Sequence, residues 1–105
     1  MKPKKSLGQN FLTDVKLLKT IAEYGNISNN DTVLEIGPGT GNLTNALINK
    51  NPGELIIIEK DDELSKLLHR KFEGKLKIVN KDILLFYKNL RFDNPIIVFG
   101  NLPYN

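Results

Sequence analysis

Four short apolar blocks, separated by stretches of helical period, limit this chain to a narrow set of folds. The blocks are TVLEI at 32–36, LIII at 55–58, LKIV at 76–79 and IIVF at 96–99. The second is apolar throughout, as expected of a strand covered on both faces. Ahead of the first block, 14–24 places Val15, Leu18, Ile21 and Ala22 on one helical face, with Thr13 as its cap and Gly25 as its end. Residues 42–49 turn Leu43, Ala46 and Leu47 inward, and Asn51-Pro52-Gly53 closes that segment. A third helix is expected from Asp61 or Asp62, with Leu64, Leu67, Leu68 and Phe72 on its apolar face and Gly74 as its stop. The span 83–94 reads as a short helix and a loop. Strand, helix, strand, helix, strand and crossover to a further strand predict an α/β fold, a doubly wound parallel sheet with helices on both faces.

At 105 residues, with 40% hydrophobic and 26% charged side chains, the chain suits one small globular domain. The absence of cysteine excludes disulfides, thiolate metal sites and thiol nucleophiles, and fits a reducing, cytoplasmic compartment. The lone histidine, His69, excludes a histidine-rich metal centre; it falls mid-helix, where a surface or packing role is expected. No run approaches the ~18 apolar residues of a membrane span. The net charge of +3 is uneven: residues 1–20 carry five lysines against Asp14, and the remainder carries ten basic and eleven acidic side chains. The basic arm is either a solvated terminus or a segment that meets phosphates. Its polar residues Gln9, Asn10, Thr13 and Asp14 disfavour a signal peptide.

The polar residues that carry chemistry follow the strands. Glu35 and a glycine loop follow the first, Glu59 the second, Asp82 the third, and Gly100 and Asn101 the fourth. In a parallel sheet these ends share the edge where open α/β sheets bind ligands. The loop Gly37-Pro38-Gly39-Thr40-Gly41-Asn42 is one residue tighter than the dinucleotide fingerprint, which needs glycine where Asn42 stands. It suits the methionine end of S-adenosylmethionine, which has no pyrophosphate. Glu59 is spaced for ribose hydroxyls, a feature shared by NAD and S-adenosylmethionine sites. Asp82 is placed either for an adenine amino group or as a helix cap. Asn101-Leu102-Pro103-Tyr104 offers what methylation of an exocyclic adenine nitrogen requires. The Asn101 side chain and the Leu102 carbonyl would accept both N–H bonds, Pro103 would fix the chain, and Tyr104 would stack on the base; the alternative is an Asn-x-Pro surface turn. Alignment and desolvation, with no general base of high pKa, are the expected source of catalysis. The pair Phe86-Tyr87 is expected to be core.

Leu7-Gly8-Gln9-Asn10-Phe11-Leu12, the run from Glu35 to Thr44, Glu59 followed by Asp61, Asp82, and Asn101 to Tyr104 together resemble the small-subunit ribosomal RNA adenine N6,N6-dimethyltransferases. The resemblance covers essentially all 105 residues. It implies a Rossmann-like fold, S-adenosyl-L-methionine as cofactor, and dimethylation of two adjacent adenosines near the 3′ end of the small-subunit RNA. It also implies that Asn10 and Leu12 contact the cofactor, that Gly37, Gly39 and Gly41 shape its loop, and that Glu59 holds its ribose and Asp82 its adenine. Asn101 would serve both cofactor and target base. The related enzymes of macrolide resistance, which methylate large-subunit RNA, share most of the pattern; Leu102 and Leu7-Gly8 favour the small-subunit branch. Lys81 departs from the small or polar residue common at that position.

Members of that family continue past Asn-Leu-Pro-Tyr. The resemblance therefore implies the amino-terminal part of a catalytic domain, ending after its fourth strand, with 1–13 as basic arm and cofactor-covering motif and 14–105 as the cofactor-binding core. Such a chain is expected to be inactive by itself. Its implied partner is the small ribosomal subunit and its RNA; no metal or membrane is implied, and a monomer is expected. Two other classes compete: a non-catalytic RNA-binding or ribosome-assembly module, and a nicotinamide-dependent oxidoreductase, which Asn42 counts against.

Overall fold

The computed structural model describes residues 14–92 and 94–100. In chain order these form α1 (Val15–Tyr24), β1 (Thr32–Ile36), α2 (Asn42–Ile48), β2 (Glu54–Ile58), α3 (Asp62–Lys71), β3 (Lys77–Val79), α4 (Ile83–Phe86), a 3-10 turn (Tyr87–Asn89) and β4 (Ile96–Gly100). The strands make one parallel sheet in the order β3-β2-β1-β4. Successive crossovers carry the chain from β1 out to β3, and the next returns it to the other side of β1. The order therefore reverses between β1 and β4, which defines a topological switch point.

Alternation along each strand builds two cores. Val33, Leu55 and Ile57 pack beneath α1, α2 and α3 with Leu18, Ala22, Leu43, Leu47, Leu68 and Phe72. Leu34, Ile56 and Ile58 face the other way, against Ile83, Phe86 and Leu90. Burying a side chain such as Leu47, Ile57 or Leu68 fully is worth about 1.5–3 kcal/mol. The second face is less covered: Val98 on β4 is 52% exposed, and Leu84 and Leu85 on α4 are also exposed.

The elements begin and end for local reasons. Asp61 caps α3 by accepting from the Leu64 N–H, and Asp62 and Glu63 occupy its first turn while His69, Arg70 and Lys71 occupy its last, complementing the helix dipole at both ends. The α1 cap is Asp14, which accepts from the Leu17 N–H at 3.0 Å; it takes the role expected of Thr13, its carboxylate being the stronger acceptor. Val15 is 69% exposed because it lies in the first turn of α1, short of the sheet; Leu18 and Ala22 make the buried contact. β2 starts one residue earlier than its apolar block, and β3 is shorter than its own, with Leu76 packed on the core ahead of it. Phe86 packs as expected, whereas Tyr87 is 54% exposed: the 3-10 turn rotates it off the face that Phe86 fills. His69 is exposed on α3.

Candidate functional site

All four strands finish in one row. Ile36 pairs with Ile58 on one side and Gly100 on the other, and Ile58 pairs with Val79. The ladder runs one step further, since the Gly37 N–H donates to the Ile58 carbonyl and the Glu59 N–H to that of Val79, each at 3.0 Å. Gly37 and Glu59 therefore leave adjacent strands at the same height. Asp82 follows the β3 exit, three residues past Val79. β4 ends at Gly100, on the side of β1 away from β2. Asn10 and Leu12, like Asn101, Leu102, Pro103 and Tyr104, lie outside the described residues.

The glycine loop is held from three directions. Its turn closes through the Gly41 N–H donating to the Pro38 carbonyl at 3.1 Å. The Lys71 Nζ reaches across from α3 to the Thr40 carbonyl at 2.9 Å. Gly41 sits on the Phe72 ring at φ +93°, where a Cβ would stand 2.6 Å from Phe72 Cε2 and 3.0 Å from Leu68 Cδ2. Glycine is required there both for the backbone angle and for the space. Gly39 has φ +62°, and a Cβ on it would meet nothing within 4 Å among the described residues.

Two carboxyl groups are buried behind this loop. Glu35 is 1% exposed; its Oε1 accepts from Thr44 Oγ1, and its Oε2 has no partner among the described residues. Burial pushes its carboxyl up from 4.5 to about 7; Thr44 offsets part of the rise and the charge of Glu59 adds to it. Glu59 is 6% exposed, and its Oε2 accepts from the Asp61 N–H at 2.9 Å, which fixes the side chain at the mouth of β2. Asp82 Oδ1 accepts from the Leu84 N–H at 2.9 Å, so it does cap α4. That bond engages one oxygen. Asn80 ties the β2 and β3 exits together: its Nδ2 donates to the carbonyls of Glu59 at 3.0 Å and Lys60 at 3.3 Å.

The sequence reading missed Thr44, Lys71 and Asn80. Each acts on backbone or on a buried group across the fold, and no local spacing marks such a contact. A shallow cavity of about 550 Å³ lies on the helical side of the loop, between α1 and α2, and the row Asn42, Asn45 and Asn49 lines it together with Lys19 and Lys71. Neither Glu59 nor Asp82 is among its described lining residues. No helix of the described residues is long and apolar enough to cross a membrane.

An edge of this construction suits a nucleoside that carries a positive charge. It combines an open glycine loop, a fixed buried carboxylate one strand away and an unpartnered carboxyl oxygen beneath. Together with the reversed strand order it places the chain among the Rossmann-like methyltransferase folds, and solved structures agree. The 23S rRNA methyltransferase ErmE superposes with a TM-score of 0.76 and 32% identity over 87% of this chain and 36% of that one. A dimethyladenosine transferase from Plasmodium falciparum superposes with a TM-score of 0.68 and 29% identity over 85% of this chain and 32% of that one.

The sequence profile described as ribosomal RNA adenine dimethylase matches residues 1–105, and the chain belongs to that family. Ribosomal RNA small subunit methyltransferase A of Pelagibacter ubique is 50% identical over 105 residues, covering all of this chain and 40% of that protein. The protein of the same name from Wolbachia pipientis wMel is 41% identical over 108 residues, covering all of this chain and 38% of that protein. The chain thus spans about 40% of the length of these relatives.

Proposed function

We propose that this chain is the cofactor-binding and catalytic-motif part of an S-adenosylmethionine-dependent enzyme that dimethylates N6 of two adjacent adenosines near the 3′ end of small-subunit ribosomal RNA. The observation that carries the reading is the row of strand ends: the glycine loop, Glu59, Asp82 and the end of β4 at Gly100 issue from one edge at the switch point. S-adenosylmethionine, when bound, supplies an electrophilic methyl group. The residues at this edge bind and orient. Backbone of the loop from Gly37 to Gly41 makes room for the methionine end, Glu59 accepts from ribose hydroxyls, and the Asp82 oxygen left over from its cap accepts from the adenine amine. Asn10 and Leu12 cover the cofactor. Asn101 and the Leu102 carbonyl take both hydrogens of the target amine and turn its lone pair toward the methyl, with Tyr104 stacked on the base and Pro103 holding the spacing. The proton released from nitrogen passes to water.

The names of the relatives favour small-subunit RNA. The likeness to ErmE supports large-subunit RNA as the second reading. Calorimetric titration of the full-length polypeptide with S-adenosylmethionine tests the cofactor site. Replacing Glu59 by Ala should weaken binding by roughly 1.5–3 kcal/mol, the value of a hydrogen bond to a charged acceptor; equal binding by the two proteins removes the assignment. Transfer of labelled methyl groups to isolated small subunits, and not to large-subunit RNA, separates the two RNA readings.

A further inference from the structure

Glu35 stands in an environment built for an uncharged group. It alternates with Val33 onto the helix-covered face of β1, and its in-register neighbours are Ile57 of β2 and Phe99 of β4, both apolar. Among the described residues no cation is bonded to it. The sequence of α2 holds no ionisable side chain and offers only the Thr44 hydroxyl; that of β4 holds none either. On α3 the basic residues His69, Arg70 and Lys71 are exposed, and Lys71 is engaged with the Thr40 carbonyl. On α1, Lys16, Lys19 and Glu23 are exposed. Among the described residues the charge of Glu59, a second carboxylate at the mouth of β2, bears on Glu35 and adds to the rise.

We propose that Glu35 matches its charge to that of the ligand: it keeps its proton in the free domain, releases it to solvent when a sulfonium cofactor lies along the strand ends, and recovers it once the ligand is a neutral thioether. The inference rests on the cofactor reading given above and extends it from where the cofactor sits to how cofactor and spent product are told apart. The chemistry is a single proton transfer. The O–H bond on Oε2 breaks, the proton goes to buffer, and the carboxylate left behind is stabilised by the nearby cation. Loss of the methyl group removes that cation, and burial beside Glu59 again favours the acid. Because the empty group ionises near pH 7, it is poised where such a neighbour changes its state. A carboxyl that served only to tie β1 to α2 through Thr44 would do so regardless of the ligand's charge.

The test counts protons. The full-length polypeptide is titrated calorimetrically with S-adenosylmethionine and with S-adenosylhomocysteine in buffers of differing ionisation enthalpy between pH 5.5 and 7. The expected result is release of roughly half a proton per S-adenosylmethionine bound near pH 7, and none for the thioether. If the bound group falls by about one pH unit, affinity for the sulfonium rises about fourfold over that interval while affinity for the thioether stays level. E35Q should abolish both the release and the difference. Equal proton release for the two ligands, or none for either, overturns the proposal while leaving the cofactor site standing. Failure of both ligands to bind overturns the cofactor reading and the proposal with it. Should E35Q not fold, the wild-type proton count decides alone, and a carbon-13 carboxyl signal of Glu35 that moves with the sulfonium ligand and not the thioether provides a second readout.

Discussion

Thr44 donates its hydroxyl to Oε1 of Glu35 at 2.6 Å, joining the end of β1 to the first turn of α2 across the glycine loop. Neither residue has another side-chain partner among the described residues. Thr44→Val keeps the shape and removes the donor, leaving the buried carboxyl unsatisfied. The expected cost is about 1–3 kcal/mol in urea unfolding, larger at alkaline pH, with Thr44→Ser recovering most of it.

The same carboxyl makes stability depend on pH in the direction opposite to a salt-bridged acid. Its folded value of about 7 lies above the ordinary 4.5, so between these values the folded state holds more protons than the unfolded one. The stabilising contribution is complete below about pH 4.5 and is lost as pH rises through about 7. Over that window it amounts to about 3 kcal/mol. Subtracting the unfolding curve of E35Q from that of the wild type isolates it; a difference that is flat with pH contradicts the assignment.

Gly41 and Gly39 both have positive φ, yet they should respond differently to alanine. At Gly41 the new methyl collides with Phe72 and Leu68 beneath, and unfolding stability should fall by more than about 2 kcal/mol. At Gly39 the space is open, so only the backbone angle is penalised, at about 1–2 kcal/mol. Binding of S-adenosylmethionine should nevertheless suffer in Gly39→Ala, because the methyl would take up space left free at the loop among the described residues. Thermal unfolding and calorimetric titration of the two variants make the comparison.

Hydrogen exchange should rank the strands by position. Amides of β1 and β2, each paired on both sides, should exchange slowest, and those of β3 and β4 faster. Slow exchange in β4 would mean that its far edge is protected.

Much of this was legible in the chain because apolar alternation and helical spacing are local. The four blocks became the four strands, and parallel topology follows from the helices between them, so the sequence alone puts Gly37, Glu59 and Asp82 on one edge. What could not be read was how the edge is braced. Lys71 and Thr40 are 31 positions apart, and Asn80 and Glu59 21. Glu35 read as one more polar residue at a strand end; only packing reveals that it is enclosed and, among the described residues, has no counter-charge. Val15 misled because periodicity assigns a face without saying how far the neighbouring layer extends.

The Asn80 amide, grasping two consecutive carbonyls beyond the end of β2, acts as a rivet between neighbouring exits. Glu59 and Asp82 follow different strands, and these bonds couple the two exits. A molecule spanning both meets a preset gauge, and the freedom that two independent loops would forfeit on contact has already been surrendered during folding.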